Sequence, residues 1–282
     1  MGMATVLHPL QDWVDVKRYP IDQLDSRPGQ ALVRQCRDSL STSNFFVLPG
    51  FITPEASAVM ARESETLLSQ SHFMNNRRTV YQALENEYSD LPPEHPRNRA
   101  FGYRCQIIGY EWIPSSHAIR KFYQWDALPK FLAAALGLPS LYHFDDPYQA
   151  TTLLIHEQGQ GTPWHFDDNN DFTVTLLLQS PASGGDFELV PNIRNSHNQN
   201  YDGLMQLFEG DEREVVTVPR HAGDIVVFQG RHSIHRVTPV WGDVPRIIAV
   251  MTFVDQPGLH APLAVNRGAY GPRVREVTLG VQ

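Results

Sequence analysis

The amino-acid sequence predicts a mainly β fold with flanking helices, in the α+β class. From about residue 148, short segments rich in β-branched and aromatic residues are separated by Gly, Pro, Asn or Asp, a pattern typical of a β-sandwich or barrel. The 282 residues include 19 Gly and 21 Pro, which indicates many turns rather than a helical bundle. Before residue 148, apolar residues recur at helical spacing, so we expect helices beside the β-rich part.

The first 147 residues are expected to form a mostly helical part that packs on the barrel. Thr53 and Pro54 supply an N-cap and a first-turn proline for one of its helices. The predicted helices span residues 30–40, about 53–69 and 116–136, and the last ends near Gly137. Residues 44–50 are expected to form a buried strand, and residues 87–100 an irregular proline-containing loop.

The β-rich part is expected to contain six short strands bounded by turn-forming residues. These strands are predicted at 151–156, 172–179, 186–190, 215–218, 225–229 and 246–254. Neither a repeat nor a low-complexity linker interrupts the sequence, so we expect a single domain. It comprises the helical part over 1–147, the β core over 148–256 and a C-terminal extension over 257–282.

The charge balance and the cysteine content argue against several classes of partner. Lys plus Arg total 23 against 31 Asp plus Glu, a net charge of −8. An acidic chain without a basic run binds nucleic acid or an anionic membrane poorly, and no apolar run is long enough to span a bilayer. Cys36 and Cys105 do not make a disulfide framework, and no targeting segment is recognisable. We therefore expect a protein of a reducing compartment, the cytoplasm.

Metal-binding side chains are concentrated in the run 162–167. His165 and Asp167 lie two residues apart, and residues so spaced on a strand point to the same side. His232 and His235 are both candidates for a third ligand. Two histidines and one carboxylate leave about three coordination positions open, as in non-haem iron(II) oxygenases. A short His-x-Asp pattern is also common in ordinary loops, so the pattern alone does not decide between the two readings.

An arginine strengthens the functional interpretation. Arg246 follows His235 by eleven residues and begins an apolar predicted strand. Burying a guanidinium group is unfavourable unless it meets an anion, and its planar donors bind a carboxylate bidentately. The distal carboxylate of 2-oxoglutarate is such an anion, and the keto-acid end of the same molecule can chelate iron.

With these residues in order, the stretch 148–254 resembles the iron(II)/2-oxoglutarate-dependent dioxygenases. The family pattern of His-x-Asp, a distant His, and an Arg or Lys about ten residues later corresponds to His165, Asp167, His235 and Arg246. The spacing to Arg246 favours His235 over His232. The resemblance implies a double-stranded β-helix (jelly-roll, cupin-like) core. It also implies iron(II), 2-oxoglutarate and O2 as cofactor and co-substrates, with ascorbate as a stimulant.

A closer resemblance is to the radical amino-acid halogenases, such as the free-lysine halogenase, and their hydroxylating relatives. The similar segments are 46–51, 164–168, 175–179, 184–187, 190–194, 222–224 and 235–240. The halogenating members carry a small residue where this chain has Asp167, and the small residue leaves a position for halide. The resemblance therefore implies hydroxylation or another oxidation rather than halogenation.

Four further residues are candidates for substrate binding. The resemblance implies that Asp168 contacts a substrate amine, although a solvated loop carboxylate is an equal alternative. Thr252 shares strand parity with Arg246 and can face the same pocket. Arg104 is a candidate for a substrate carboxylate and Trp164 for a pocket wall, while a surface arginine and a core tryptophan are the simpler interpretations.

The expected substrate is a small polar molecule, a free amino acid or a derivative. The alternative is the same chemistry on a larger substrate: a carrier-bound amino acid, a peptide or a natural-product scaffold. The reaction on such a substrate is a hydroxylation, a desaturation or a cyclisation. A cupin-like binding protein without catalysis is a weaker alternative, because a pure metal site needs no anion clamp such as Arg246. The sequence leaves monomer and homodimer open.

Overall fold

The computed structural model describes residues 10–85, 87–167 and 171–275. Asp168, a predicted substrate residue, lies outside this range. The helices are α1 (Arg27–Ser43), α2 (Pro54–Glu65), α3 (Ala118–Tyr123), α4 (Ala127–Leu136), α5 (Tyr201–Phe208) and α6 (Leu263–Tyr270). The strands are β1 (Phe45–Leu48), β2 (His72–Thr79), β3 (Ala100–Ile108), β4 (Tyr142–His143), β5 (Thr151–His156), β6 (Thr162–His165), β7 (Thr173–Gln179), β8 (Ser183–Gly184), β9 (Phe187–Val190), β10 (Val216–Val218), β11 (Ile225–Phe228), β12 (Ile234–Val237), β13 (Val240–Trp241), β14 (Arg246–Met251) and β15 (Phe253–Val254).

The fold is built around two antiparallel β-sheets. The larger sheet has the strand order β1-β11-β7-β14-β5-β3-β2, and the smaller has the order β10-β9-β12-β6. Two-stranded ribbons, β13-β8 and β15-β4, complete the pairing of the named strands. The order in which sequence-distant strands alternate is that of the predicted double-stranded β-helix.

Strand alternation separates the helix-packed core from the barrel interior. On β7, Val174 and Leu176 belong to the main apolar cluster that includes the buried faces of α1, α2 and α4. The intervening residues, Thr173 and Thr175, therefore point to the opposite side, into the barrel. The same alternation points Arg246 on β14 away from that cluster. Thr173, Thr175 and Arg246 therefore all lie on the barrel-facing side of the large sheet.

The N-terminal part contains strands as well as helices, which corrects the expectation of a mostly helical segment over 1–147. The predicted strand at 44–50 is present as β1, but β2 and β3 were not predicted and extend the large sheet at one edge. Phe101, Tyr103, Cys105 and Ile107 alternate with other residues along β3, and this period of two was the available signal.

The long helix predicted over 116–136 is instead two helices, α3 and α4, separated by residues 124–126. Pro129 is the physical reason: it lacks an amide hydrogen, so it is tolerated in the first turn of α4 but not inside a continuous helix. The predicted end near Gly137 is correct, since Gly137 caps α4 at a φ of 72°.

The second predicted helix ends earlier than expected, at Glu65, and a short 3-10 turn follows over Leu68–Gln70. Within the part of the chain that the structure describes, every helix is too short or too polar to cross a bilayer. Cys36 and Cys105 are both free and buried.

Candidate metal and co-substrate site

Three predicted ligand residues converge at one end of the smaller sheet. His165 ends β6, Asp167 follows it by two residues, and His235 lies on β12 directly opposite His165 in the strand register. This pairing brings the two imidazole centroids to 4.1 Å. One ligand atom from each of the three residues lies within 4.8 Å of the others. His232 is not part of this cluster within the described residues.

The imidazole rings are oriented by their own backbone. His165 Nδ1 is 2.8 Å from the Pro163 carbonyl, and His235 Nδ1 is 3.0 Å from the Ser233 carbonyl. Because a carbonyl oxygen only accepts, each Nδ1 carries the proton and donates it, which leaves the Nε2 lone pair free as a metal ligand. The two Nε2 atoms lie 3.9 Å (His165) and 3.5 Å (His235) from Asp167 Oδ1.

The Asp167 carboxylate is held by a second set of contacts. Its Oδ2 accepts a hydrogen bond from the Thr173 hydroxyl on β7, and its backbone amide donates to the Gly230 carbonyl at 3.1 Å. A Cβ at position 230 would overlap with Asp167 Oδ2, so only glycine leaves room for this carboxylate orientation. Oδ1 is thereby the oxygen that faces the two imidazoles.

The electrostatics of the cluster suit a cation. Burial alone would raise the pKa of the Asp167 carboxyl, but His235, His165 and the Thr173 hydroxyl outweigh burial and hold that pKa below its ordinary value. Burial, followed by the neighbouring His235, lowers the pKa of His165 to about 3. At neutral pH His165 therefore offers a neutral imidazole and Asp167 an ionised carboxylate, the protonation states that a divalent metal requires of such ligands.

Arg246 is buried in the barrel with an incomplete set of partners. It is 1% exposed, and its Nε donates to the Gly185 carbonyl at 3.0 Å. Its Nη1 has no hydrogen-bond acceptor among the described residues. Its strand partner His156 supplies no charge of either sign at neutral pH, because burial and then Arg246 lower the pKa of His156 to about 3. Such a buried cation favours an anionic partner, and no carboxylate of the described residues forms a salt bridge with it.

A cavity of about 670 Å³ adjoins the metal-ligand cluster. Asp167 and Thr173 form part of its wall, and Thr252 lies on it as its strand parity predicted. The remaining wall comes mainly from β2, the segment that follows β2, and α6, with contributions from Gln149, from Thr152 on β5 and from Val250 on β14. The volume lies within the range typical of small-molecule sites.

The structure does not bring Arg104 or Trp164, two further predicted substrate residues, to this cavity. The side chain of Arg104 is exposed on β3 and is not part of the wall. Trp164 points to the opposite side of β6 from His165, where it packs in an apolar cluster, and the Arg236 guanidinium stacks 4.4 Å from its ring centroid. Their positions match the simpler interpretations, a surface arginine and a core tryptophan.

The cavity contains an arginine that sequence reasoning missed. Arg78 on β2 lines the wall, with Nη1 donating to the Gln82 carbonyl at 2.9 Å and Nη2 to the Gly268 carbonyl at 3.2 Å. Gln82 also donates to the Tyr103 hydroxyl at 2.9 Å, and the Tyr103 ring lies 5.8 Å from that of His165. No salt bridge joins Arg78 to a carboxylate of the described residues. Because β2 was not predicted as a strand, no sequence signal pointed to this residue.

Comparison with known proteins places the chain in a family and the fold among solved structures. The family model described as Halogenase D (HalD) matches residues 29–268, in agreement with the resemblance to the halogenases and their relatives. A prolyl hydroxylase from Trichoplax adhaerens, in complex with a hypoxia-inducible-factor peptide, is 16% identical; the match covers 80% of this chain and 90% of that chain, with a TM-score of 0.53. AviO1 from Streptomyces viridochromogenes Tue57 is 18% identical over 81% of this chain and 97% of its own, with a TM-score of 0.53.

The non-haem α-ketoglutarate-dependent epimerase SnoN from nogalamycin biosynthesis is 14% identical. The match covers 80% of this chain and 83% of SnoN, with a TM-score of 0.54. At such low identities the similarity concerns the fold, and it confirms the predicted double-stranded β-helix. No curated protein sequence matches the chain.

Proposed function

The chain belongs to the family described as Halogenase D, and on this premise we propose that it is an iron(II)/2-oxoglutarate-dependent dioxygenase. Its substrate in this proposal is a small molecule that carries a carboxylate, and its product is an oxidised form of that molecule. The observation that carries the proposal is the combination of His165, Asp167 and His235 with the buried, partly unpartnered Arg246 inside one barrel.

The donor set fits iron(II). Two imidazole nitrogens and one carboxylate oxygen on one side of a metal leave the other side open, which is the arrangement of non-haem iron oxygenases. When bound, iron(II) and 2-oxoglutarate supply the oxidation of a C–H bond by O2, with 2-oxoglutarate converted to succinate and CO2. The protein's part is to hold the ligands, to bind the co-substrate and to place the substrate.

Arg246 binds the distal carboxylate of 2-oxoglutarate in this proposal. Its free Nη1 and its position on the barrel-facing side of β14 suit a carboxylate that enters from the metal side. The nearest acidic charge that acts on the pKa of Arg246 is that of Asp186, whose side chain is exposed. Burial lowers this pKa to about 10, so the guanidinium remains charged at neutral pH.

The reaction is an oxygenation rather than a halogenation, although the family carries the name of a halogenase. The Asp167 carboxylate fills the position that a small residue leaves open in halogenating relatives. The contacts of this carboxylate with Thr173 and Gly230 support the assignment, because they leave Oδ1 toward the histidines and hold Oδ2 away from them. Hydroxylation is the expected outcome, and desaturation or cyclisation is possible from the same C–H bond cleavage.

Arg78 supports a substrate with an anionic group. Its guanidinium lies on the wall of the cavity that also contains Asp167, and its hydrogen-bond partners there are backbone carbonyls. A free amino acid or a derivative would place its carboxylate at Arg78 and a carbon of its side chain toward the metal ligands. Thr252 is available as a hydroxyl donor on the same wall.

A larger carboxylate-bearing substrate is the second candidate. The cavity volume of about 670 Å³ is more than a single amino acid fills, and the wall includes the exposed side chains of Leu84 and Glu87. A carrier-bound amino acid, a peptide or a natural-product scaffold would use this additional room. Monomer or homodimer, and a cytoplasmic location, remain expectations from the sequence.

The first experiment measures succinate release with iron(II), ascorbate and 2-oxoglutarate for the twenty common amino acids and ornithine, with mass spectrometry of each product. Substrate-dependent succinate and a mass gain of one oxygen support a free amino acid as substrate. Succinate release without an oxidised amino acid in the mass spectrum would instead indicate one of the larger substrates. If the iron-loaded protein under nitrogen forms no visible charge-transfer band with 2-oxoglutarate, the dioxygenase proposal fails and a binding protein remains.

The role of Arg78 is tested by Arg78→Gln with Arg77→Gln as the matched control. Arg77 is the neighbouring residue on β2, but its side chain is exposed and pairs with Glu85 at 3.2 Å. Loss of the substrate carboxylate contact in Arg78→Gln should raise KM about tenfold or more, as expected for a charge-assisted hydrogen bond. Equal effects of both variants would contradict this role.

A further inference from the structure

A second arginine, outside the four-residue sequence pattern, lies beside the co-substrate position. Arg220 precedes β11, and its Nη2 donates to the Thr175 carbonyl of β7 at 3.2 Å. Its guanidinium carbon lies 5.7 Å from the centroid of the Phe187 ring, and that ring is 5.9 Å from the ring of His235. Arg220 is therefore separated from the predicted metal ligand His235 by one aromatic side chain.

Arg220 and Arg246 contact the same short segment of chain: Arg246 Nε donates to the Gly185 carbonyl at 3.0 Å, and the Arg220 guanidinium lies over the ring of Phe187, two residues later. Burial, followed by the charge of Arg246, lowers the pKa of Arg220 to about 9. Both guanidinium groups remain cationic at neutral pH, so two positive charges lie along this segment. Like charges at short range in a poorly solvated space repel, and an anion between them would remove that cost.

Neither guanidinium group has a carboxylate partner within the described chain. The closest acidic influence on Arg220 is Asp224, but the Asp224 oxygens already accept hydrogen bonds from the amides of Gly50 and His221, each at 2.7 Å. Arg220 Nε and Arg246 Nη1 are both buried without an acceptor. Each arginine thus retains one buried donor that has no acceptor among the described residues.

We propose that Arg220 and Arg246 together bind the distal carboxylate of 2-oxoglutarate, so that Arg220 is a specificity-determining residue for a dicarboxylate co-substrate. This inference rests on the proposed function. The unused donors at Arg220 Nε and Arg246 Nη1 match the two oxygens of one carboxylate. Phe187, stacked between Arg220 and His235, forms a wall along the path from the clamp to the metal ligands.

The test compares two ligands that differ only at the distal end. 2-Oxopentanoate carries a methyl group where 2-oxoglutarate carries the distal carboxylate, while the keto-acid end is the same. Calorimetric titration of the Mn(II)-loaded full chain under nitrogen gives both dissociation constants without any turnover. The wild-type protein should prefer 2-oxoglutarate, and Arg220→Met should reduce this preference by about tenfold or more, with binding of 2-oxopentanoate unchanged.

The Met variant keeps an unbranched side chain and removes only the charged end. Because it removes a buried charge that has no counter-ion in the ligand-free protein, its melting temperature without ligand should equal or exceed that of the wild type. Arg220→Lys should give an intermediate preference, since an ammonium group retains the charge but loses the planar donors. Arg213→Met, at an exposed arginine paired with Asp211, is the matched control and should change neither constant.

An unchanged preference for 2-oxoglutarate in Arg220→Met would overturn the inference. Equal weakening of both ligands would overturn it as well, because it would indicate a structural role for Arg220. If Arg220→Met does not fold, the Lys variant decides: an undiminished preference there would also overturn the shared clamp. Failure of the wild-type protein to bind 2-oxoglutarate would instead refute the proposed function, so the two failures are distinguishable.

Discussion

Thr173→Val is expected to weaken metal binding although Thr173 is not a ligand. The Thr173 hydroxyl donates to Asp167 Oδ2, and valine has nearly the same shape without the hydroxyl. The substitution removes the side-chain donor of Oδ2 and one of the causes that lower the pKa of Asp167. A carboxylate that has lost this partner can rotate, so Oδ1 is held less firmly toward His165 and His235.

The expected magnitude follows from the kind of contact that is lost. Removing a hydrogen bond to a metal ligand weakens metal affinity about 10- to 100-fold, which corresponds to about 1.4–2.7 kcal/mol. Calorimetric titration of the metal-free protein with Mn(II), without 2-oxoglutarate, measures this loss directly. Thr217→Val, at an exposed threonine of β10, is the matched control and should bind Mn(II) as the wild type does. Wild-type Mn(II) affinity in Thr173→Val would refute the argument that this hydroxyl fixes the carboxylate.

Three further outcomes are expected. Arg246→Leu should raise the 2-oxoglutarate concentration for half-maximal succinate release about 10- to 100-fold, the loss expected for a charge-assisted contact; unchanged affinity would remove Arg246 from co-substrate binding. Asp167→Gly should abolish hydroxylation in the product mass spectrum, and full hydroxylation would show that Asp167 is not a ligand. The pKa of His156 is lowered to about 3 by burial, so the folded state resists protonation and loses stability as pH falls below the ordinary value of about 6.5. Between pH 7 and 5.5 the His156 contribution costs the metal-free protein about 1.3 kcal/mol, and in denaturant unfolding the loss of stability should be smaller by about that amount in His156→Leu than in the wild type.

The sequence predicted those features that depend on neighbouring residues. His165 and Asp167 were paired because alternation on one strand aims them to one side, and the structure places both beside His235. The predicted strands at 151–156 and 246–254 correspond to β5 and to β14 with β15. In each case, a local period of two and a bounding turn residue carried the information.

Features that depend on pairing between distant segments were not predicted. Arg78 reaches the cavity because β2 pairs with β3 at the edge of the large sheet, and β2 carries a mostly polar run that lacks the alternation of a half-buried strand. Arg220 reaches β7 only because the chain before β11 returns to that strand, where Arg220 donates to the Thr175 carbonyl. The Thr173–Asp167 contact crosses from the large sheet to the small one, and no local pattern encodes such a crossing.

The surroundings of Asp167 indicate why one substitution, Asp167→Gly, is a poor way to convert this site from oxygenation to halogenation. Gly230 and Thr173 are shaped around a carboxylate: the first provides space and the second provides a hydrogen-bond donor. Removing the carboxylate in Asp167→Gly opens a space next to the histidines, and the Thr173 hydroxyl then faces that space without its acceptor. A halide there would have one donor and no fixed wall on the Gly230 side. The preference of this site for a carboxylate therefore resides in three residues, and Asp167 is only the one that the sequence pattern displays.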